Sequence, residues 1–279
     1  MSEHDAGTGK EYVLGTGSDE LDRLGMQHRL WSDAAHALWR RAQLRVGQRV
    51  LDVGCGPGYA TLDMAPIVGR RGAVVGVDES TGYIAHLNAQ AAARALEQCR
   101  GVVSDVQRLG DAVAGEASFD MAYARWVLCF VPDPEAVVAG VAAALRPGGR
   151  FCVHDYFNYR SMSIAPRRRS HDKAVAATVA SWHARGGDTD IVGRLPRLMA
   201  KHGLRVTHLD VHQRIARGRD TMFQWVDVWW RVYTPKLVQM GYLTQEDQEE
   251  LFRDLDEVGA SETDFVAAPP VYEIVAEKA

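Results

Sequence analysis

At 279 residues and 47% hydrophobic content, the chain is long enough to bury one substantial core, or a core with a cap. A formal net charge of −4 supplies no global basic field, which argues against nucleic acid as a partner. The polar, acidic start MSEHDAGTGKEYVLGTGSDE has no signal-like apolar stretch, no apolar run is long enough to span a bilayer, and the four cysteines (Cys55, Cys99, Cys129, Cys152) lack C-x-x-C spacing. The expectation is a cytoplasmic protein with neither membrane contact nor a disulfide or zinc framework.

The run Arg49-Val-Leu-Asp-Val-Gly-Cys-Gly-Pro-Gly-Tyr59 comes first in chemical interest. It predicts an apolar strand that ends in a sharp glycine turn, where a ligand can lie against bare backbone. A dinucleotide fingerprint needs G-x-G-x-x-G, and its third glycine position here is Tyr59. Asp52, inside the strand end, repels a pyrophosphate but attracts an ammonium group.

Beyond the turn, strands and helices alternate. Helix is expected at Tyr59–Val68, strand at Ala73–Asp78, helix from Thr81 to Cys99 and strand at Gly101–Asp105. Strand follows at Phe119–Ala124, helix at Asp133–Leu145, a turn at Arg146–Gly149 and strand at Arg150–Asp155. Leu204–Val211 and Phe265–Glu277 read as late strands. Repeated strand–helix units imply a parallel sheet with helices on both faces, and ligands in such sheets lie beyond the carboxyl ends of the strands. Four successive strands end in polar groups: Asp52, Asp78, Asp105 and the pair His154-Asp155. In register, these describe a site, although a lone strand-end acid is more often a helix cap.

Residues RVLDVGCGPGYAT resemble the first motif of the class I S-adenosylmethionine-dependent methyltransferases, in the UbiE-like small-molecule branch. The resemblance is specific from about Gln48 to Asp155 and weakest over Tyr156–His202 and Gly218–Glu262. It implies a Rossmann-like α/β fold, doubly wound, with a mostly parallel seven-stranded sheet, one antiparallel strand and helical lid or cap insertions. The implied division of the single domain is a lid over residues 1–45, a cofactor-binding core over 46–156, acceptor-recognition helices over 157–203 and 218–262, and closing strands over 204–217 and 263–279.

The implied cofactor is S-adenosyl-L-methionine. Asp52 and the turn at Gly54 and Gly56 take its amino-acid tail, with Thr61 and the adjacent helix amides near its carboxylate. Asp78 accepts from the ribose diol, with Glu79 and Ser80 supplying further contacts; the plain alternative is a helix cap. Asp105 is assigned to the adenine amino group and the Val106 N–H to a ring nitrogen. At Arg125 relatives present a backbone carbonyl to the ammonium, while its side chain can pair with a carboxylate. Tyr12, Gln27 and His28 belong to a segment that folds over the cofactor, or to an amphipathic helix with its polar side in water.

Methyl transfer from a sulfonium is an in-line displacement and needs alignment above all. His154, with an unperturbed pKa of about 6.5, is the candidate general base for a hydroxyl acceptor. The alternative is a structural imidazole, with Asp155 on the opposite side of the strand. Trp126, Tyr156, Trp182, Trp225, Trp229 and Tyr233 are candidates for an acceptor wall, the last three at helical spacing, where the ordinary role of such a stripe is core. Arg160 and Arg167–Arg169 read as solvated helix-start charge, the alternative being a grip on a carboxylate or phosphate of the acceptor. His154, Asp155, His183 and His212 match no short metal-ligand spacing, so no metal is expected. The expected partner is a small aromatic or apolar acceptor, with O-, N- and C-methylation all open and homodimerisation undecided. RNA or protein methylation, or cofactor binding without catalysis, are the competing readings.

Overall fold

The computed structural model describes residues 18–116 and 118–279. Tyr12 lies outside the described residues. In chain order the elements are α1 (Ser18–Arg41), β1 (Arg49–Val53), α2 (Tyr59–Val68), β2 (Ala73–Asp78), α3 (Thr81–Ala93), β3 (Cys99–Val103), α4 (Leu109–Ala112), β4 (Phe119–Arg125), α5 (Pro134–Ala144) and β5 (Leu145–Tyr156). The second half adds β6 (Ser163–Ala165), α6 (Arg169–His183), α7 (Leu195–Lys201), β7 (Leu204–His212), β8 (Ile215–Ala216), α8 (Thr221–Gln239), α9 (Gln245–Ala260), β9 (Phe265–Ala267) and β10 (Val271–Lys278).

Seven strands form one sheet in the order β3-β2-β1-β4-β5-β10-β7, and β10 runs antiparallel to both of its neighbours. This is the Rossmann-like α/β architecture expected. The strand order reverses beside β1, between β2 on one side and β4 on the other, which opens a crevice at the carboxyl ends of these strands. The central strands are apolar on both faces because helices cover both, so Val50, Leu51, Val53, Val74 and Val77 are all buried.

Helix boundaries follow local chemistry. Ser80 caps α3 by accepting from the Tyr83 N–H at 3.2 Å, and Asp133 caps α5 by accepting from the Ala136 N–H at 3.0 Å. Thr244 and Asp247 form a reciprocal capping box at the start of α9. α3 ends at Ala93, short of the expected Cys99, since the chain turns through Ala95 at positive φ and Cys99 already pairs in β3.

Two strand expectations change. Phe265–Glu277 is two strands rather than one: Pro269 and Pro270 remove ladder donors and divide it. β9 joins β6 and β8 in a separate three-stranded sheet. The predicted Arg146–Gly149 turn survives as an excursion within β5: Leu145 pairs with Phe119 and Arg150 with Met121, so the four intervening residues loop out.

Candidate active site

A cavity of about 590 Å³ lies at the carboxyl ends of β1–β5, under α1 and α8. That size suits a ligand of cofactor scale with room beside it. Its floor is the turn after β1. Gly54, Gly56 and Gly58 all have positive φ, at +64°, +55° and +85°. At Gly58 an added Cβ would fall 2.3 Å from Leu87 Cδ1, so packing against α3 excludes any side chain. At Gly56 an added Cβ would meet nothing within 4 Å: bare backbone faces open cavity.

Three of the four strand-end groups reach the wall. Asp78 lines the cavity with its carboxylate held by two backbone donors, Gly56 N–H to Oδ2 and Ser80 N–H to Oδ1, each at 2.9 Å. The cap of α3 is Ser80, which frees Asp78 from that duty; Ser80 itself does not line the cavity. Burial pushes the Asp78 carboxyl above its ordinary value, and the two backbone donors oppose this. Glu79 lines the wall beside it. Asp105 also lines the wall while accepting the Gln107 N–H at 2.8 Å, so it is a cap and a wall residue at once, and Val106 adjoins it.

Asp52 reaches the wall but is only 3% exposed, and burial pushes its pKa up to about 7 against the opposing Thr61 hydroxyl and Arg125 charge. Thr61 is fully buried and donates to Asp52 Oδ2 at 2.6 Å. It therefore stands behind the acid, not beside a ligand, which corrects the expected direct contact. Arg125 lines the cavity and packs over the Trp126 ring, 5.1 Å from its centroid.

Gln27, on α1, is at the wall. His28 is not; it bridges two charged groups behind it. Arg125 Nη2 meets His28 Nδ1 and His28 Nε2 meets Asp63 Oδ2, both at 2.9 Å. A guanidinium only donates, so Nδ1 accepts and the proton resides on Nε2. Burial, ahead of the smaller effects, lowers the His28 pKa and keeps this neutral tautomer.

The structure separates His154 from the cavity, which removes the expected general base. Asp155 and His154 alternate across β5. His154, 1% exposed, meets Tyr123 Oη through Nδ1 at 3.2 Å, and its Nε2 is 3.5 Å from Glu273 Oε2. Tyr123 stands between it and the cavity that Tyr123 lines. Asp155 is fully buried, accepts the Cys129 and Tyr156 N–H groups, and is raised to about 6 by burial. It fixes the chain after β4.

The opposite wall is aromatic. Trp126, Tyr156, Trp182, Trp225 and Trp229 all line it. Trp126 stacks on Trp225 at 6.1 Å and on Tyr156 at 6.3 Å, while Trp182 meets Trp229 edge-on at 6.1 Å. Tyr233 is one turn too far along α8: it stacks behind Trp229 at 4.7 Å and its hydroxyl bonds Ser181 Oγ at 2.9 Å, so it supports the wall without forming it. Sequence reasoning missed Arg23, Tyr123, Phe130, Tyr159 and Met162, all on the wall. Tyr159 and Met162 lie in the loop that follows Tyr156, and that proximity was the only available signal. The wall built by the loop after β4, the end of β5 and the cap helices carries no carboxylate or imidazole, and burial holds the Tyr156 and Tyr159 hydroxyls well above their ordinary pKa.

Residues 50–149 match the model of a family described as a methyltransferase domain. Aklanonic acid methyltransferase DauC from Streptomyces sp. (strain C5) is 32% identical over 133 residues, covering 48% of this chain and 58% of that protein. A 2-phytyl-1,4-naphtoquinone methyltransferase from Synechococcus elongatus is 35% identical over 131 residues, covering 46% of this chain and 53% of its own length. The chain thus spans little more than half the length of these curated relatives. A solved geranyl diphosphate methyltransferase has the same fold, with a TM-score of 0.56 at 17% identity over 90% of this chain and 79% of that one. The segment with the glycine turn and strand-end acids thus matches a methyltransferase domain, in keeping with the class I, S-adenosylmethionine-dependent type that its first motif resembles.

Proposed function

We propose that this protein methylates a small molecule that carries an aromatic or otherwise apolar body. The observation that carries this reading is one continuous cavity with a glycine turn and carboxylates at one end and stacked indoles at the other. The residues present fit the cofactor, because the open backbone at Gly56 adjoins Asp78, whose carboxylate is already oriented by two N–H donors. In this reading Asp78 holds the ribose diol, Glu79 adjoins it, and Asp105 with the Val106 N–H reads the adenine edge. Asp52 attracts the ammonium group, and Arg125, steadied by His28 and Asp63, faces the carboxylate of the amino-acid tail. Bound S-adenosylmethionine supplies an electrophilic methyl group.

The aromatic wall excludes water and orients the acceptor, and indole faces favour the approach of positive charge. Among the described residues, that wall offers no carboxylate or imidazole to take a proton. This wall favours an acceptor whose nucleophile is already electron-rich: a carboxylate, an acidic phenol or enol, an activated carbon, or a neutral amine. Helices α6, α8 and α9 act as the acceptor-recognition cap. An acidic net charge and a walled apolar cavity disfavour RNA and protein acceptors.

The test is incubation of the protein with S-adenosylmethionine and fractionated small-molecule extracts, following S-adenosylhomocysteine and methylated product by mass spectrometry. Product from an apolar, weakly acidic fraction supports the reading. Cofactor binding without turnover on any fraction makes the protein a binder rather than an enzyme.

A further inference from the structure

Behind the cavity-lining Tyr123, three strands bring together groups that are far apart in sequence. Glu273 on β10 is in register with His154 on β5 and with Asp210 on β7, which places His208 and His212 on the same face. Glu273 is 4% exposed. Its Oε2 lies 2.8 Å from His212 Nε2 and 3.5 Å from His154 Nε2, and its Oε1 lies 2.6 Å from His208 Nε2. The His154 Nε2 atom is fully buried and lacks a hydrogen-bond partner, although its Nδ1 is held by Tyr123.

We propose that His154 Nε2, His212 Nε2 and Glu273 Oε2 are the ligands of a divalent zinc-type cation. The three atoms lie within 4.8 Å of one another, and two imidazoles with one carboxylate form a ligand set that zinc accepts with a fourth position open to water. The surrounding groups have the arrangement that such sites need. Tyr123 fixes the ring of His154 through the non-ligating nitrogen, and His208 engages the second oxygen of Glu273. His212 is about one-third exposed, which gives an ion a path from solvent. Arg41 Nε is 3.8 Å from Glu273 Oε1, but that side chain is half exposed and can swing clear. The ion would pin edge strand β7 to β10 and β5, and through His154 and Tyr123 it would adjoin the cavity wall.

The experiment is calorimetric titration of Zn²⁺ into full-length protein freed of metal by a chelator, with zinc-edge X-ray absorption on the loaded sample. One equivalent should bind, with nitrogen and oxygen ligands at about 2.0 Å. His212→Ala, on the partly exposed edge strand, should abolish that stoichiometric binding. His208→Ala should weaken it by about tenfold, and His36→Ala should leave it unchanged. Absence of a one-equivalent site in folded wild-type protein, or binding unaltered by His212→Ala, would overturn the proposal and leave a hydrogen-bonded cluster that only joins strands.

Discussion

The indole N–H of Trp225 donates to Gln27 Oε1 over 2.9 Å, and both residues line the cavity. This bond ties α8 to α1 and fixes the ring that stacks on Trp126. Gln27→Leu strands a buried indole donor, which costs about 1–3 kcal/mol. The urea midpoint should fall with the slope unchanged; an unmoved midpoint would show that the two helices are held together by other contacts.

The glycine turn separates stability from binding. Gly58→Ala forces a methyl into Leu87 at positive φ and should destabilise the fold by about 1–3 kcal/mol. Gly56→Ala meets no protein atom, so it should cost only the backbone strain, about 1–2 kcal/mol, yet on the proposed reading it places a methyl where the cofactor tail would rest. Thermal melts together with cofactor titrations check the contrast. Intact cofactor affinity in Gly56→Ala would move the ligand off this turn.

Asp52, with its pKa raised to about 7 by burial, is half protonated near neutrality in the empty protein. A cationic ligand tail favours the ionised form, so protons compete with it. Affinity for S-adenosylhomocysteine should fall as pH drops from 8 to 6, whereas Asp52→Asn should bind weakly at every pH. Parallel pH dependences would take Asp52 out of the ammonium site.

His171 is fully buried, its ring nitrogens have no partner, and burial pushes its pKa down to about 4. Between that value and about 6.5 the unfolded chain binds the proton and the folded one does not. Its contribution is fully present above about pH 6.5 and is lost as pH falls to 4, by about 3 kcal/mol. The difference in unfolding free energy between wild type and His171→Leu should therefore shift in that window. A constant difference from pH 7 to 4 would refute the assignment.

What was legible in the sequence was local. Asp52, Asp78 and Asp105 each end an apolar run, so the strand pattern itself placed them on one sheet edge. His154 was misplaced because a strand-end position does not show what stands in front of it: His154 shares a sheet face with Arg125, but Tyr123 lies between it and the cavity. Helical spacing grouped Trp225, Trp229 and Tyr233 correctly on one helix, but reach along α8, not periodicity, decides which rings meet the cavity. Of the His154, His212 and Glu273 cluster the sequence offered only the two histidines, set aside for want of a short ligand spacing, because strand order alone brings Glu273 to them.

The central claim is that Asp78 and the turn from Gly54 to Gly58 receive the nucleotide. Crystals soaked with S-adenosylhomocysteine test it most directly, supported by titration of Asp78→Ala. The account predicts ribose density on the Asp78 carboxylate and the amino-acid tail over the turn, with affinity at least tenfold weaker in the variant from the loss of about 1.5–3 kcal/mol of charge-assisted bonding. Density elsewhere, or equal affinity in Asp78→Ala, would contradict it.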